Sequence, residues 1–175
     1  MNKTLKTKLN KIKLLVMDVD GVLTDGKIVV DAQGKELKFF DVQDGFGLVL
    51  LRQAGIKTAI LSARSSSAVT ARAEDLKIDK ICQDAYPKTN AYESLIKELG
   101  CTDEQVCFMG DDLPDLPVLK RVGLAVAVPN AMDELKKIAH YVTTRRGGAG
   151  AVREVIELIL KAQRKWKNIV AQMEK

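Results

Sequence analysis

Histidine occurs once in the 175 residues, cysteine three times, proline four times, and aromatic residues make up only 5%. Cys82, Cys101 and Cys107 include no CxxC pair, so neither a disulfide framework nor a zinc site is expected, and the single His140 reads as structural. No apolar run approaches the ~20 residues of a membrane span. The lysines near the N-terminus are followed by only Leu14 to Met17 before Asp18 interrupts, which is too short for the apolar part of a secretion signal. A soluble cytoplasmic protein with reduced thiols and no membrane partner is expected. Low-complexity segments and internal repeats are absent too, and 46% apolar with 29% charged residues suits one ordinary globular core.

Acidic residues are missing from the first 13 positions, where Lys3, Lys6, Lys8, Lys11 and Lys13 stand unopposed. The last 15 residues add Lys161, Arg164, Lys165, Lys167 and Lys175 against Glu174 alone. The formal charge of +5 therefore belongs to the ends, and residues 14–160 carry 18 basic against 22 acidic side chains. Basic segments at chain ends read as solvated or frayed termini, so no nucleic-acid partner is expected. The predicted organisation is a basic extension over 1–12, one domain over 13–163 and a basic tail over 164–175 that continues the last helix.

Short apolar runs alternate with longer amphipathic stretches. Lys13 to Met17, Lys57 to Leu61, Lys80 to Cys82, Val106 to Met109, Leu124 to Val128 and Tyr141 to Thr143 read as strands. Helical spacing covers Gly45 to Gln53, Ser66 to Leu76, Asn90 to Leu99, Asp115 to Arg121, Ala131 to Ile138, and one long helix from Ala151 to about Met173. This alternation predicts an α/β fold: a doubly wound, Rossmann-like parallel sheet with helices on both faces. Lys27 to Val30 and Glu36 to Phe40, joined through Gly34, predict a β-hairpin insert over about 27–40.

Ligands of doubly wound sheets bind beyond the carboxyl ends of the strands. Four predicted strand tips carry polar chemistry: Asp18-Val19-Asp20-Gly21, then Ser62-Ala63-Arg64, then Lys88, then Gly110-Asp111-Asp112 with Asp115 beyond. Taken singly, an Asp at a strand end is usually a cap or turn residue. Their conjunction at successive tips favours a site. Two carboxylates two residues apart repel unless a cation or a shared proton joins them.

The order of these residues resembles the haloacid dehalogenase superfamily, whose four motifs match Asp18-Val19-Asp20-Gly21, Ser62, Lys88 and Gly110-Asp111-Asp112. That resemblance implies two-step phosphoryl transfer, with Asp18 as the nucleophile and Asp20 as general acid and then base. It also implies Mg²⁺ held by Asp18, the main-chain carbonyl of Asp20, and Asp111, with Asp112 and Asp115 behind these ligands. Ser62 and Lys88 would receive the phosphate. No segment is long enough to form a cap domain, so another subunit is expected as the lid.

Over about Lys13 to Gln163 the chain is similar to the family of 3-deoxy-D-manno-octulosonate (KDO) 8-phosphate phosphatases. The similarity rests on Asp18 to Asp25, the hairpin, Phe40-Asp41-Val42-Gln43-Asp44-Gly45, Gly110 to Asp115 and Gly150 to Glu154. It implies a capless homotetramer, a role in lipopolysaccharide biosynthesis, and a substrate pocket lined by Asp20, Asp41, Val42, Gln43, Asp44, Gly45, Arg64, Arg72 and Lys88. The chain departs from the family pattern at Ala63, where glycine is common, and at Val49 and Ala149, where basic residues are common; Arg145 or Arg146 stand near enough in sequence to compensate for the last. A nine-carbon sialic-type keto-acid phosphate is the alternative substrate. From other classes, a receiver-like signalling domain would place its phosphorylated Asp after the third strand rather than the first, and a catalytically idle binding module would have no need of the full acidic set.

Overall fold

A computed structural model describes residues 3–174. In chain order the elements are α1 (Lys3–Lys11), β1 (Leu14–Met17), β2 (Val29–Val30), β3 (Glu36–Leu37), α2 (Val42–Gln53), β4 (Lys57–Leu61), α3 (Ser67–Asp75), β5 (Lys80–Cys82), α4 (Lys88–Glu98), β6 (Val106–Gly110), α5 (Leu116–Leu119), β7 (Leu124–Ala127), α6 (Asp133–Ile138), β8 (Tyr141–Val142), α7 (Ala151–Ala162) and α8 (Trp166–Met173). Six strands form a parallel sheet in the order β5-β4-β1-β6-β7-β8. Every residue of β1, β6 and β7 is buried, as a sheet covered on both faces requires.

The chain leaves β1 toward β4 and β5, then returns to build β6, β7 and β8 on the other side. Strand order therefore reverses between β1 and β6, where a crevice opens at the carboxyl ends. Leu14 pairs with Lys57 and Val106, and Met17 with Ile60 and Met109, so the tips of β1, β4 and β6 end level. That register brings Asp18, Ser62 and Asp111 to one edge of the sheet.

α7 shows the amphipathic period clearly: Val152, Val155, Ile156, Ile159 and Leu160 face the core. α2 begins three residues earlier than its apolar spacing predicts, because the Asp41 carboxylate accepts from the amides of Gln43 (2.7 Å) and Asp44 (3.0 Å) and caps it.

Three expectations need correction. The long last helix is two helices. Arg164 adopts φ +59, the Lys165 amide donates to the Leu160 carbonyl and the Arg164 amide to the Lys161 carbonyl, so α7 closes with a left-handed cap. The N-terminal basic segment is not frayed: α1 packs on α7, with Leu9 and Ile12 in the core and the Gln163 side chain donating to both of their carbonyls (3.2 and 2.9 Å). The hairpin's ladder is short, pairing only Val29 with Leu37 and Val30 with Glu36. Among the described residues no helix is long and apolar enough to cross a membrane.

Candidate active site

Asp18 leaves β1 with its amide bonded to the Met109 carbonyl (3.0 Å), which ties it to the neighbouring β6. Asp20 and Gly21 follow as the central pair of a tight turn with φ/ψ of −75/116 and 91/−11, the type II pattern that favours glycine second. Here glycine is needed twice over, since a Cβ on Gly21 would fall on the Asp111 carboxylate.

An open cleft of ≈ 240 Å³ lies above these tips, lined by Asp18, Asp20, Gly26, Ser62, Ala63, Arg64, Lys88, Asp111, Asp112, Pro114 and Asp115. Its floor is electrostatically unusual. The Lys88 ammonium, almost fully buried at the start of α4, reaches Asp18 Oδ1 (2.9 Å) and Asp115 Oδ1 (2.5 Å). Burial works against that charge, yet the carboxylates of Asp18 and Asp115 outweigh it and hold the Lys88 pKa above its ordinary value. Asp115 Oδ2 accepts from the amides of Asp111 (2.9 Å) and Asp112 (3.3 Å), so this carboxylate is fully engaged in shaping the loop.

Asp111 makes no such ion pair, and Lys88 offsets its surroundings only in part. Its Oδ1 is buried and unpartnered, and burial together with the charges of Asp18, Asp115 and Asp112 pushes its pKa up. Asp18 is pushed up as well, by burial and by Asp115, against the opposing pull of Lys88. Oxygens from Asp18, Asp111 and Asp115 lie within 4.8 Å of one another. An orphaned buried carboxylate oxygen in a cluster of like charges fits a divalent cation with oxygen ligands. Asp18 and Asp111 are the side chains free to hold it, because Asp115 is already saturated by Lys88 and two amides.

Ser62 is buried at the tip of β4, with its hydroxyl accepting from the Arg64 amide (3.3 Å). Arg64 extends to Asp20 (Nε to Oδ2, 3.5 Å) and to Glu36 (2.8 Å). Lys38 escaped the sequence reading. Its buried ammonium bridges Asp20 Oδ1 (2.5 Å) and Glu36 (3.2 Å), so the hairpin is wired to the motif loop. Period-two spacing from Glu36 was the only signal for it.

The structure does not bring the remaining expected pocket residues into the cleft. Asp41, Asp44, Gly45 and Arg72 line a tight enclosed cavity between α2 and α3. Arg72 pairs with Asp75 (2.6 Å). Asp44 is buried with Oδ1 accepting from the Arg153 amide (2.7 Å) at the start of α7, and burial raises its pKa to about 6. Val42 and Gln43 face outward beside Phe46, Arg145 and Arg153, and Arg145 donates to Gln43 (2.9 Å).

Residues 80–156 match the haloacid dehalogenase-like hydrolase family. The chain is 48% identical over 154 residues to the 3-deoxy-D-manno-octulosonate 8-phosphate phosphatase KdsC of Yersinia pestis, covering 88% of this chain and 82% of that protein. With the KdsC of Escherichia coli K12 it shares 44% over 158 residues, or 90% and 84% of the two chains. Its fold superposes at a TM-score of 0.95, with 44% identity and 99% of both chains covered, on the 3-deoxy-D-manno-octulosonate 8-phosphate phosphatase of Moraxella catarrhalis in complex with magnesium ion, phosphate ion and KDO. Likeness of this extent, running through the sheet, the motif loops and the hairpin, makes the chain a member of the 3-deoxy-D-manno-octulosonate 8-phosphate phosphatase family within the haloacid dehalogenase-like hydrolases.

Proposed function

We propose that the protein hydrolyses 3-deoxy-D-manno-octulosonate 8-phosphate to KDO and inorganic phosphate, using Mg²⁺, in the cytoplasm and on the route to lipopolysaccharide. The observation that carries this reading is the Lys88-bridged carboxylate cluster at the point where strand order reverses, in a chain aligned end to end with a relative that binds magnesium, phosphate and KDO.

Asp18 is the nucleophile. Its carboxylate oxygen bonds to phosphorus as the bond from phosphorus to the sugar oxygen breaks, and Asp20 gives that oxygen its proton. Water then attacks the aspartyl-phosphate, passes a proton to Asp20, and releases phosphate and the Asp18 carboxylate. Lys88 offsets the charge of Asp18 so that an anionic substrate can approach, and the Ser62 hydroxyl, which accepts from the Arg64 amide and so keeps its own proton free, offers a neutral donor to a phosphoryl oxygen. Asp18, Asp111 and the Asp20 carbonyl would hold Mg²⁺, which supplies Lewis-acid charge neutralisation when bound.

An uncapped cleft leaves the aspartyl-phosphate open to bulk water. Ile28, Val30, Leu37, Phe39, Val42 and Phe46 are exposed on the hairpin and the first turns of α2. Apolar surface gathered in this way marks an association face, and we assign it to a homotetramer in which neighbouring copies restrict the cleft. On this reading Asp41 to Gly45 and Arg72 shape the assembly and its pocket edge rather than touching phosphate.

Phosphate release from the eight-carbon substrate and from nine-carbon sialic-type keto-acid phosphates, compared as kcat/KM with Mg²⁺ present, tests the assignment. The eight-carbon compound is expected to lead by at least about tenfold. Preference for a nine-carbon acid would move the protein to the alternative reading.

A further inference from the structure

The cleft draws its side chains from strand tips up to β6, yet the next tip, after β7, carries a side chain that joins three loops. Asn130 is half-buried and takes no part in lining the cleft. Its Nδ2 donates to the Gly21 carbonyl (2.8 Å), and its Oδ1 accepts from the Gly147 amide (3.0 Å). A carbonyl requires a donor and an amide N–H an acceptor, so only one orientation of the side-chain amide satisfies both. Positions 109 and 17 residues away in the chain are thereby held by one group.

The surrounding contacts extend the clamp. Two residues on, the Met132 amide donates to the Asp111 carbonyl (2.8 Å), and across the seam the Gly148 amide donates to the Val22 carbonyl (3.0 Å). Gly147 lies so close that a Cβ there would collide with the Gly21 carbonyl oxygen. Gly21, in turn, sits against the Asp111 carboxylate. The connection from β7 to α6 thus touches both the turn that presents Asp20 and the loop that presents Asp111, and ties them to residues 147–148.

We propose that Asn130 is a positioning residue for phosphoryl transfer, clamping the exit of the Asp20–Gly21 turn to the Gly147 segment so that Asp18, Asp20 and Asp111 keep their mutual geometry. This rests on the phosphatase reading above. Misplacing reacting groups by a fraction of an ångström penalises the chemical step more than ground-state binding, so the effect belongs in kcat.

Steady-state kinetics on the eight-carbon substrate with saturating Mg²⁺, alongside thermal unfolding of each variant, tests it. Asn130→Ala is expected to lower kcat about tenfold while KM shifts by less than about twofold. Gly147→Ala, which forces the same seam apart from the other side, should show the same split. Because both act on one clamp, the double variant should lose less than the product of the single losses. If Asn130→Ala does not fold, Asn130→Asp decides: it keeps an acceptor for Gly147 but sets an oxygen against the Gly21 carbonyl, and the same loss of kcat is expected. Folded variants with lowered melting temperature and wild-type kcat would reduce Asn130 to a structural residue, and fully multiplicative losses would make the two positions independent; either overturns the proposal. A wild-type protein that releases no phosphate overturns the functional reading itself, whatever the variants do.

Discussion

Carboxylates gathered in a buried cluster bind protons more tightly than they do in the unfolded chain, and the sign of that difference has a consequence for stability. Burial and mutual repulsion raise Asp111 and Asp18 above their ordinary value of 3.8. A raised acid contributes stability below its unfolded pKa, and that contribution is lost as pH climbs through the folded one. Metal-free protein should therefore lose stability from mildly acidic to neutral pH, and Mg²⁺, which needs the ionised ligands, should restore it there. Thermal unfolding with and without Mg²⁺ should show a larger metal-induced rise at about pH 8 than at about pH 5. A rise that is equal or larger at the lower pH would mean the cluster is not the metal site. Asp18, Ser62, Lys88 and Asp111 were legible in the sequence because each follows an apolar run that ends as a strand. Lys38, Asn130 and Gly147 were not, since Asp20 lies 18 positions from Lys38 and Gly21 lies 109 from Asn130 and 126 from Gly147, and only the folded loops make them neighbours.

At the scale of elements, all six sheet strands follow the runs read from the sequence; β1, β6 and β7 are apolar throughout, while β4 and β5 each begin on a lysine. The break between α7 and α8 was hidden from such a reading. Arg164 and Lys165 have ordinary helix propensity, and the tie that accompanies the left-handed cap, from the Gln163 side chain to the carbonyls of Leu9 and Ile12, spans more than 150 residues. Arginine at φ +59 carries a steric cost that glycine lacks. Arg164→Gly should accordingly stabilise the protein by about 0.5–1 kcal/mol in denaturant titrations. Destabilisation by a similar amount would show that the cap is not where the chain turns. The seating of Asp44 on the start of α7 likewise depends on tertiary packing, whereas the capping of α2 by Asp41 is local, two and three residues along the chain.

For the molecule as a whole, the absence of a cap leaves a cleft that one chain does not close, and the exposed apolar side chains beside it offer the remedy. Phe39, 69% exposed, is among these side chains and follows directly on the Lys38 that reaches Asp20. Phe39→Asp is expected to shift the proposed tetramer to smaller species in light scattering and to lower kcat/KM with it; an unchanged mass would remove the hairpin from the proposed assembly. Net charge, by contrast, described only the chain ends and said little about the acidic interior where the chemistry is placed. On the proposed mechanism this interior passes the phosphoryl group through Asp18. Phosphate release from 3-deoxy-D-manno-octulosonate 8-phosphate by wild type and by Asp18→Asn, with Mg²⁺ present and the fold of each verified, decides this: turnover is expected from the wild type and none from the variant, and sustained release by folded Asp18→Asn would rule Asp18 out as the nucleophile.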